Sequence, residues 1–140
     1  MDIASAQALQ DTYTLGLMTG DADLMASVYA PGAVVVPPDG VPVLGRDRIR
    51  RLWQELVSDG GMGNAPITEE LEVSGDLMIE RGVFARFGDP VAVGPPVVRG
   101  RFEILHERQP DGRWLWAHDL LVADDGYPRP SPRISLPRLG

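Results

Sequence analysis

The stretch "RWLWAHDLL", residues 113–121, places two groups that can transfer protons, His118 and Asp119, inside an apolar run. An ionised carboxylate in an apolar interior is unfavourable unless it is paired, hydrogen-bonded or protonated. If the carboxyl group faces a cavity, burial raises its pKa and suits it to general acid/base catalysis. Asp119 is therefore the first candidate for a catalytic residue. The alternative is a structural ion pair with Arg81 or Arg101.

The face on which each of these residues lies follows from the repeat of two in a β-strand. Ala117, Asp119 and Leu121 share one face, whereas Trp116 and His118 share the other. One of these two sets is expected to face a pocket, and the other then lies on the outer face of the sheet.

The preceding strand presents Phe102, Ile104 and His106 on one face. Its pairing with the next strand depends on the turn "RQPDGR". A plain four-residue turn brings these three residues to the same side as Asp119. A type I turn followed by a glycine bulge shifts the pairing by one residue and brings His118 there instead. The residues alone leave both registers open.

Helical and extended patterns follow one another along the chain. Apolar residues at three- and four-residue steps predict helices over residues 3–19, 22–30 and 46–57. A repeat of two then predicts strands over residues 67–75, 76–88, 97–108 and 113–123, after shorter strands at 33–37 and 41–44.

This order predicts a single α+β domain, in which three N-terminal helices pack on a curved antiparallel sheet to form a cone. The open end of such a cone is a natural apolar pocket. We place the domain at residues 1–126. Residues 127–140, rich in proline, are expected to form a C-terminal arm.

Composition excludes several classes of function. The formal net charge of −7 argues against nonspecific binding to nucleic acid. The absence of cysteine and lysine excludes thiolate nucleophiles and Schiff-base chemistry. Only two histidines occur, without metal-ligand spacing, so we expect no metal site. No membrane span or signal peptide is visible, which predicts a cytoplasmic protein.

Three segments, "YTLGLMTGDADLMASVYAPGAVVVPPDG", "LGRDRIRRLW" and "RQPDGRWLWAHDLL", resemble the NTF2-like superfamily. This superfamily includes ketosteroid isomerases, SnoaL-like polyketide cyclases and limonene-type epoxide hydrolases. The resemblance covers roughly residues 5–122, implies the cone-shaped fold and favours the register that places Asp119 inside it. One such fold supports many different reactions.

The resemblance to ketosteroid isomerases is incomplete. Tyr13 stands where those enzymes place the tyrosine that donates a hydrogen bond to the developing enolate oxygen; a core aromatic is the alternative. Pro37 stands at the position of their base and Ile104 at that of their protonated aspartate. Proline and isoleucine transfer no protons, so this mechanism is not expected. Trp53 matches a pocket aromatic of the isomerases and also fits a core contact.

The other two resemblances both point to Asp119. In limonene-type epoxide hydrolases an Asp-Arg-Asp set opens the epoxide. Asp119 and Arg81 match two members of that set, and Val83 stands where the third is expected. SnoaL-like cyclases use an aspartate in the last strand as acid/base without a cofactor, and Asp119 matches it.

These observations predict a cofactor-independent, SnoaL-like enzyme that cyclises or isomerises a hydrophobic molecule bearing a carbonyl or an epoxide. Asp119 would transfer the proton, helped by His106, Tyr13 and Arg81. The expected pocket consists of the residues Trp53, Phe102, Ile104, Ala117 and Leu121. Alternatives are a non-catalytic ligand-binding domain and an epoxide-opening enzyme that recruits Glu103 or Asp39. A homodimer through the outer sheet face, with Trp114 or Trp116 at the interface, is also expected.

Overall fold

The computed structural model describes residues 2–91 and 94–124 of the chain. Its helices are α1 (Ile3–Thr19), α2 (Ala22–Ala26) and α3 (Arg46–Leu56). Asp2 and Asp21 cap the first two helices by accepting hydrogen bonds from the backbone N–H groups of Ser5 and Leu24. Gly20 ends α1 in the left-handed conformation. Within the described ranges, no helix combines the length and apolar character needed to cross a bilayer. The arm predicted for residues 127–140 lies outside them.

The remaining elements form a single seven-stranded sheet. Its strands are β1 (Tyr29–Val36), β2 (Val43–Leu44), β3 (Gly63–Asn64), β4 (Ile67–Ser74), β5 (Leu77–Phe87), β6 (Val98–Arg108) and β7 (Trp114–Ala123). The spatial order is β2-β1-β7-β6-β5-β3, and β4 also pairs with β5. The predicted antiparallel meander of β4 to β7 is present. In addition, β1 pairs with β7 in parallel, which makes the sheet mixed.

The second helix is shorter than the sequence predicts. The apolar spacing of residues 22–30 suggests one helix, but α2 ends at Ala26, and Tyr29 and Ala30 already belong to β1. A residue that precedes proline is restricted to extended conformations, and Pro31 imposes this on Ala30. Tyr29 therefore lies on a strand, beside β7.

The helices cover one face of the sheet and form the core with it. Leu17, Met25 and Ile49 come from the three helices and are fully buried, as is Val35 of β1. Helices α1 and α2 approach closely at Gly16, where a Cβ atom would lie 2.7 Å from the Met25 side chain. These contacts seat the helices against the inner face of the sheet, where the candidate site lies.

The turn between β6 and β7 is a type I turn with a glycine bulge. The N–H of Gln109 donates to the carbonyl of Arg113 over 2.7 Å, and the N–H of Gly112 donates to the carbonyl of Gln109 over 2.9 Å. Gly112 has a φ of 89°. Of the two turns that the sequence allows, the structure contains the second, which shifts the pairing by one residue.

A second irregularity in β7 shifts the pairing again. His106 pairs with Trp116, whereas the preceding residue, Leu105, pairs with His118. Ala117 is therefore the extra residue of a β-bulge. From this point on, Ile104 lies opposite Asp119.

The two shifts together place Asp119 on the inner face, although neither predicted register is correct along the whole hairpin. Phe102 lies opposite Leu121 and Ile104 opposite Asp119. The observed pairing is thus displaced by two residues from the register that a plain four-residue turn would give. A displacement of two residues leaves every side chain on the same face of the sheet.

The bulge corrects two predictions. Ala117 does not line the pocket; Trp116 does, with an exposed fraction of 1%. Because Trp116 is buried inside the cone, it is not available for a dimer interface. Trp114, nearer the turn, is only half-buried.

Gly82 provides a test of how the inner face is packed. A Cβ atom there would lie 2.0 Å from the carbonyl oxygen of Ile67 and 2.7 Å from the ring of Phe102. We expect Gly82→Ala to lower the free energy of unfolding by about 2 kcal/mol or more, because strand backbone must move. Urea unfolding measures this. Gly32→Ala is the control, since nothing lies within 4 Å of its added Cβ; equal losses in both variants would contradict the packing described.

Candidate active site

In the described part of the chain, Asp119 is one of two buried carboxylates on the inner sheet face. Its exposed fraction is 3%, and the hydroxyl of Tyr29 donates a hydrogen bond to its Oδ2 over 2.5 Å. Burial raises its pKa from 3.8 to about 6, although the hydrogen bond from Tyr29 and the charge of Arg86 lower it; the charge of Glu80 raises it further. A carboxyl group with this pKa is populated in both protonation states near neutral pH.

Tyr29 reaches Asp119 because β1 and β7 run side by side. Val35 of β1 pairs with Asp119. Tyr29 is the first residue of β1 and pairs with Trp116. Burial and the neighbouring charge of Asp119 raise the pKa of Tyr29 well above its usual value. The phenol therefore stays protonated and acts as a hydrogen-bond donor to the carboxylate.

Arg86 is the buried cation of the site. It lies near the end of β5 with an exposed fraction of 6%, and its Nη2 donates a hydrogen bond to the hydroxyl of Tyr13. Its guanidinium carbon lies 5.3 Å from the ring centre of Trp53, 5.6 Å from that of Phe84 and 5.8 Å from that of Tyr13. Aromatic faces at these distances attract a cation.

Tyr13 projects from α1 into the pocket wall beside this cation. Burial raises the pKa of its phenol, while the positive charge of Arg86 opposes the rise. The phenol oxygen accepts the hydrogen bond from Arg86 and keeps its own proton for donation to another group. A phenol whose oxygen faces a cation is a stronger donor to a developing oxyanion.

These side chains line one small pocket at the inner face. Its polar lining includes Gln10, Tyr13, Arg86 and Asp119. Its apolar lining includes Phe84, Phe102, Ile104, Trp116 and Leu121. The cavity volume is about 20 Å³, which is enough for about one water molecule. A larger ligand requires the walls to move apart.

A second buried carboxylate, Glu80, lies two strands away from Asp119. His106 Nε2 lies 2.8 Å from its Oε1, and the hydroxyl of Thr68 donates to its Oε2 over 2.6 Å. The amide of Gln10 lies 3.4 Å from the same oxygen. Since every partner comes from a different element, this cluster ties α1, β4, β5 and β6 together.

His106 is thus held by Glu80 and makes no direct contact with Asp119. It is fully buried, and its ring packs edge-on against Trp116 at 6.2 Å. His106 therefore lies in the wall of the core, outside hydrogen-bond reach of Asp119.

The structure places Arg81 away from the pocket. Its Nε donates to Glu103 over 2.7 Å, and its Nη1 lies 3.8 Å from Glu70 and 3.7 Å from Glu72. All four side chains are solvent-accessible and lie on the outer face of the sheet. The glutamate Glu103, considered for epoxide opening, is therefore also on the outer face.

The remaining predicted residues divide between pocket and core. Phe102, Ile104 and Leu121 line the pocket. Trp53 is in the core behind it, in an edge-to-face contact with Tyr13 at 5.7 Å. His118 is exposed on the outer face, as predicted.

Sequence reasoning missed Tyr29, Glu80 and Arg86. The alternation of β5 could have found two of them, because Glu80 and Arg86 share a face with Gly82 and Phe84, whereas Arg81 occupies the other. Tyr29 was concealed by the helix predicted across it. In residues 2–91 and 94–124, no group of three or more acidic or histidine side chains is arranged to hold a metal ion.

No protein-family model matches this sequence, and no curated protein matches it. Solved structures do match it. One is an NTF2-like protein with a cystatin-like fold from Novosphingobium aromaticivorans, with a TM-score of 0.76 and 17% identity over 89% of this chain and 83% of that one. Another is a ketosteroid isomerase-like protein from Erwinia carotovora atroseptica, with a TM-score of 0.70 and 18% identity over 86% and 95%.

A third match is a protein from Catenulispora acidiphila in complex with S-DNPA, with a TM-score of 0.68 and 20% identity over 87% of this chain and 92% of that one. Identities this low establish a shared fold and leave the reaction open. The chain has the NTF2-like fold that its sequence predicts.

Proposed function

We propose that the protein is a cofactor-independent acid/base enzyme that isomerises or cyclises a small hydrophobic molecule bearing a carbonyl or an epoxide. The observation that carries this proposal is Asp119: a buried carboxyl group in the pocket wall, with a pKa of about 6. The ketosteroid isomerase-like and S-DNPA-bound relatives support a small-molecule ligand for this fold.

In the proposed reaction, the Asp119 carboxylate removes a proton from the carbon next to the substrate carbonyl. The electron pair of that C–H bond moves onto the carbonyl oxygen, and Tyr13 donates a hydrogen bond to the resulting enolate. Return of the proton to another carbon completes an isomerisation. Attack of the enolate carbon on a second carbonyl of the same molecule, with protonation of the new alkoxide by Asp119, completes a cyclisation.

Tyr29 and His106 act as positioning residues in this proposal. Tyr29 fixes the orientation of the Asp119 carboxyl through Oδ2, which leaves Oδ1 for the substrate. His106 holds Glu80, whose negative charge adds to the rise that burial causes in the pKa of Asp119. Arg81 has no part in it, because its partners are on the outer face.

A non-catalytic ligand-binding domain is the second candidate, because His106 is held by Glu80 and gives Asp119 no second proton-transfer partner. Either candidate requires the pocket to widen when a ligand binds. A volume of about 20 Å³ is far below the roughly 300 Å³ at which ligand pockets begin.

Homodimerisation through the outer sheet face also belongs to the proposal. Leu120 and Val122 of β7 are exposed on that face, at 38% and 48%.

The titration of Asp119 tests the catalytic proposal directly. We expect its carboxyl ¹³C resonance, assigned with Asp119→Asn, to titrate near pH 6. Asp111 is an internal control, because hydrogen bonds from the backbone and side chain of Arg113 lower its pKa. If Asp119 titrated at or below the usual pKa of an aspartate, 3.8, it would be a structural carboxylate and the ligand-binding candidate would replace the enzyme.

Exchange of α-protons tests the chemistry itself. We expect the protein to accelerate the incorporation of deuterium from D₂O into a cyclic aryl ketone, 2-tetralone, followed by ¹H NMR. Asp119→Asn should reduce this acceleration by about 10²-fold or more, the usual contribution of a general base. Asp111→Asn serves as the control with unchanged exchange. Equal rates for Asp119→Asn and the unmodified protein would remove Asp119 from the reaction.

The raised pKa also predicts how stability depends on pH. Between pH 3.8 and about 6 the folded state retains the Asp119 proton that the unfolded chain loses, so this group destabilises the fold as the pH rises through that window. The total is about 3 kcal/mol, from 1.36 kcal/mol per pKa unit.

Urea unfolding of the unmodified protein and Asp119→Asn across this range measures the effect. The free energy of unfolding of the variant, minus that of the unmodified protein, should increase as the pH rises to about 6 and then level off. A difference that decreases with pH would mean that Asp119 is stabilised as an ion in the folded state.

A further inference from the structure

Arg86 is a buried cation whose hydrogen bonds are incomplete. Its exposed fraction is 6%, its Nη2 donates to Tyr13, and its Nε is buried without a hydrogen-bond partner. Among the described residues, no carboxylate forms an ion pair with it. The arginines that do form such pairs, Arg50, Arg81, Arg101, Arg108 and Arg113, have clearly exposed side chains.

Burial of a guanidinium without an anion is unfavourable, and the surroundings of Arg86 compensate for it only in part. The rings of Tyr13, Trp53 and Phe84 attract the charge without accepting a hydrogen bond from the Nε–H. A buried donor left without a partner has a free-energy cost of about 1–3 kcal/mol. Such an arrangement persists readily where it serves a ligand.

Arg86 also lines the same pocket as Asp119, and its positive charge lowers the pKa of that carboxyl. The positive charge of Arg86 therefore acts on the part of the pocket that borders Asp119. A planar guanidinium with a free Nε–H is suited to a carboxylate, which it binds through two parallel hydrogen bonds.

We propose that Arg86 is the anion receptor of the pocket and that the ligand carries a carboxylate on an apolar body. The carboxylate accepts hydrogen bonds from the Nε–H and a terminal N–H of Arg86. The apolar body contacts Phe84, Phe102 and Leu121. This inference names the substrate class of the proposed enzyme, a keto acid or an epoxy acid, but its test measures binding and does not depend on turnover.

Protonation of Asp119 should strengthen this binding. Above pH 6 the ionised Asp119 competes with the ligand for the positive charge of Arg86, whereas below it the neutral acid does not. The other titratable or charged groups around Asp119 are Tyr13 of α1, Tyr29 of β1 and Glu80 of β5, the last held by His106 of β6. The affinity for a carboxylate should therefore fall as the pH rises through about 6.

The probe is benzoate, with benzamide as its neutral counterpart of the same shape. Acetate and acetamide repeat the comparison at a size closer to the cavity volume of about 20 Å³. Binding is followed by calorimetry and by the Nε–H resonances of the arginines in the intact protein, with Arg86→Lys used for assignment. This NMR measurement remains informative even if variants at position 86 lose stability.

We expect benzoate or acetate to bind and to shift the Arg86 Nε–H resonance. The affinity of the corresponding amides should be at least about tenfold lower, because they lack one charge-assisted hydrogen bond. Arg86→Gln should remove the preference for the carboxylate. Arg81→Gln, on the outer face, should retain it.

The proposal is overturned if both carboxylates fail to bind, if they bind without shifting the Arg86 resonance, or if the amides bind equally well. Carboxylate binding that persists when Asp119 proves to have an ordinary pKa would support the anion receptor and reject the acid/base enzyme. Failure of carboxylate binding with a pKa near 6 for Asp119 would reject only the anion receptor.

Discussion

The extra residue in β7, Ala117, determines what the inner face of this protein can do. With the turn at Gly112 alone, the pairing would be shifted by a single residue and Asp119 would point outward. The bulge adds a second shift and returns Asp119 to the inside, while Trp116 on the other side of the bulge also points inward. The contact with Tyr29 and the raised pKa of Asp119 both depend on this one irregularity.

Two buried carboxylates on the same sheet face meet very different surroundings. Glu80 receives hydrogen bonds from three directions and links four elements, so its role in the structure is evident. Asp119 has one donor, Tyr29, and borders the pocket. These unequal surroundings leave Glu80 as a structural group and Asp119 as the carboxyl group at the pocket wall.

The limits of prediction are visible in particular residues. The bounds of α1 agree with the apolar spacing of residues 3–19, because helix periodicity extends over several turns. The positions of His118 outside and Asp119 inside are also as predicted, although the pairing that produces them is different. A bulge at Ala117 leaves no local signal, since alanine occurs readily in regular strands as well.

The site was predicted less completely than the fold, because its partners are distant in the sequence. Tyr29 and Asp119 are 90 residues apart, and Arg86 and Tyr13 are 73 residues apart. The resemblance drew attention to Arg81, but the alternation of β5 turns that residue outward and Arg86 inward. Strand parity was therefore a better guide to the pocket arginine than correspondence with a related enzyme.

Ile104 explains why the side chains on the inner sheet face differ from those of the ketosteroid isomerases that the sequence resembles. It stands between Glu80 and Asp119 in one row across β5, β6 and β7. By the resemblance of the sequence, this is the position of the protonated aspartate of the ketosteroid isomerases. Neighbouring strands are about 4.8 Å apart, so Ile104 keeps the two carboxylates roughly 10 Å from each other.

A third acid at this position would lie against both carboxylates and couple their titrations. With isoleucine there, Glu80 remains committed to its hydrogen bonds, and the proton-transfer role in the proposed reaction falls to Asp119 alone. Oxyanion stabilisation must then come from the side of the pocket that Tyr13 and Arg86 occupy, because the row across the sheet offers no second donor.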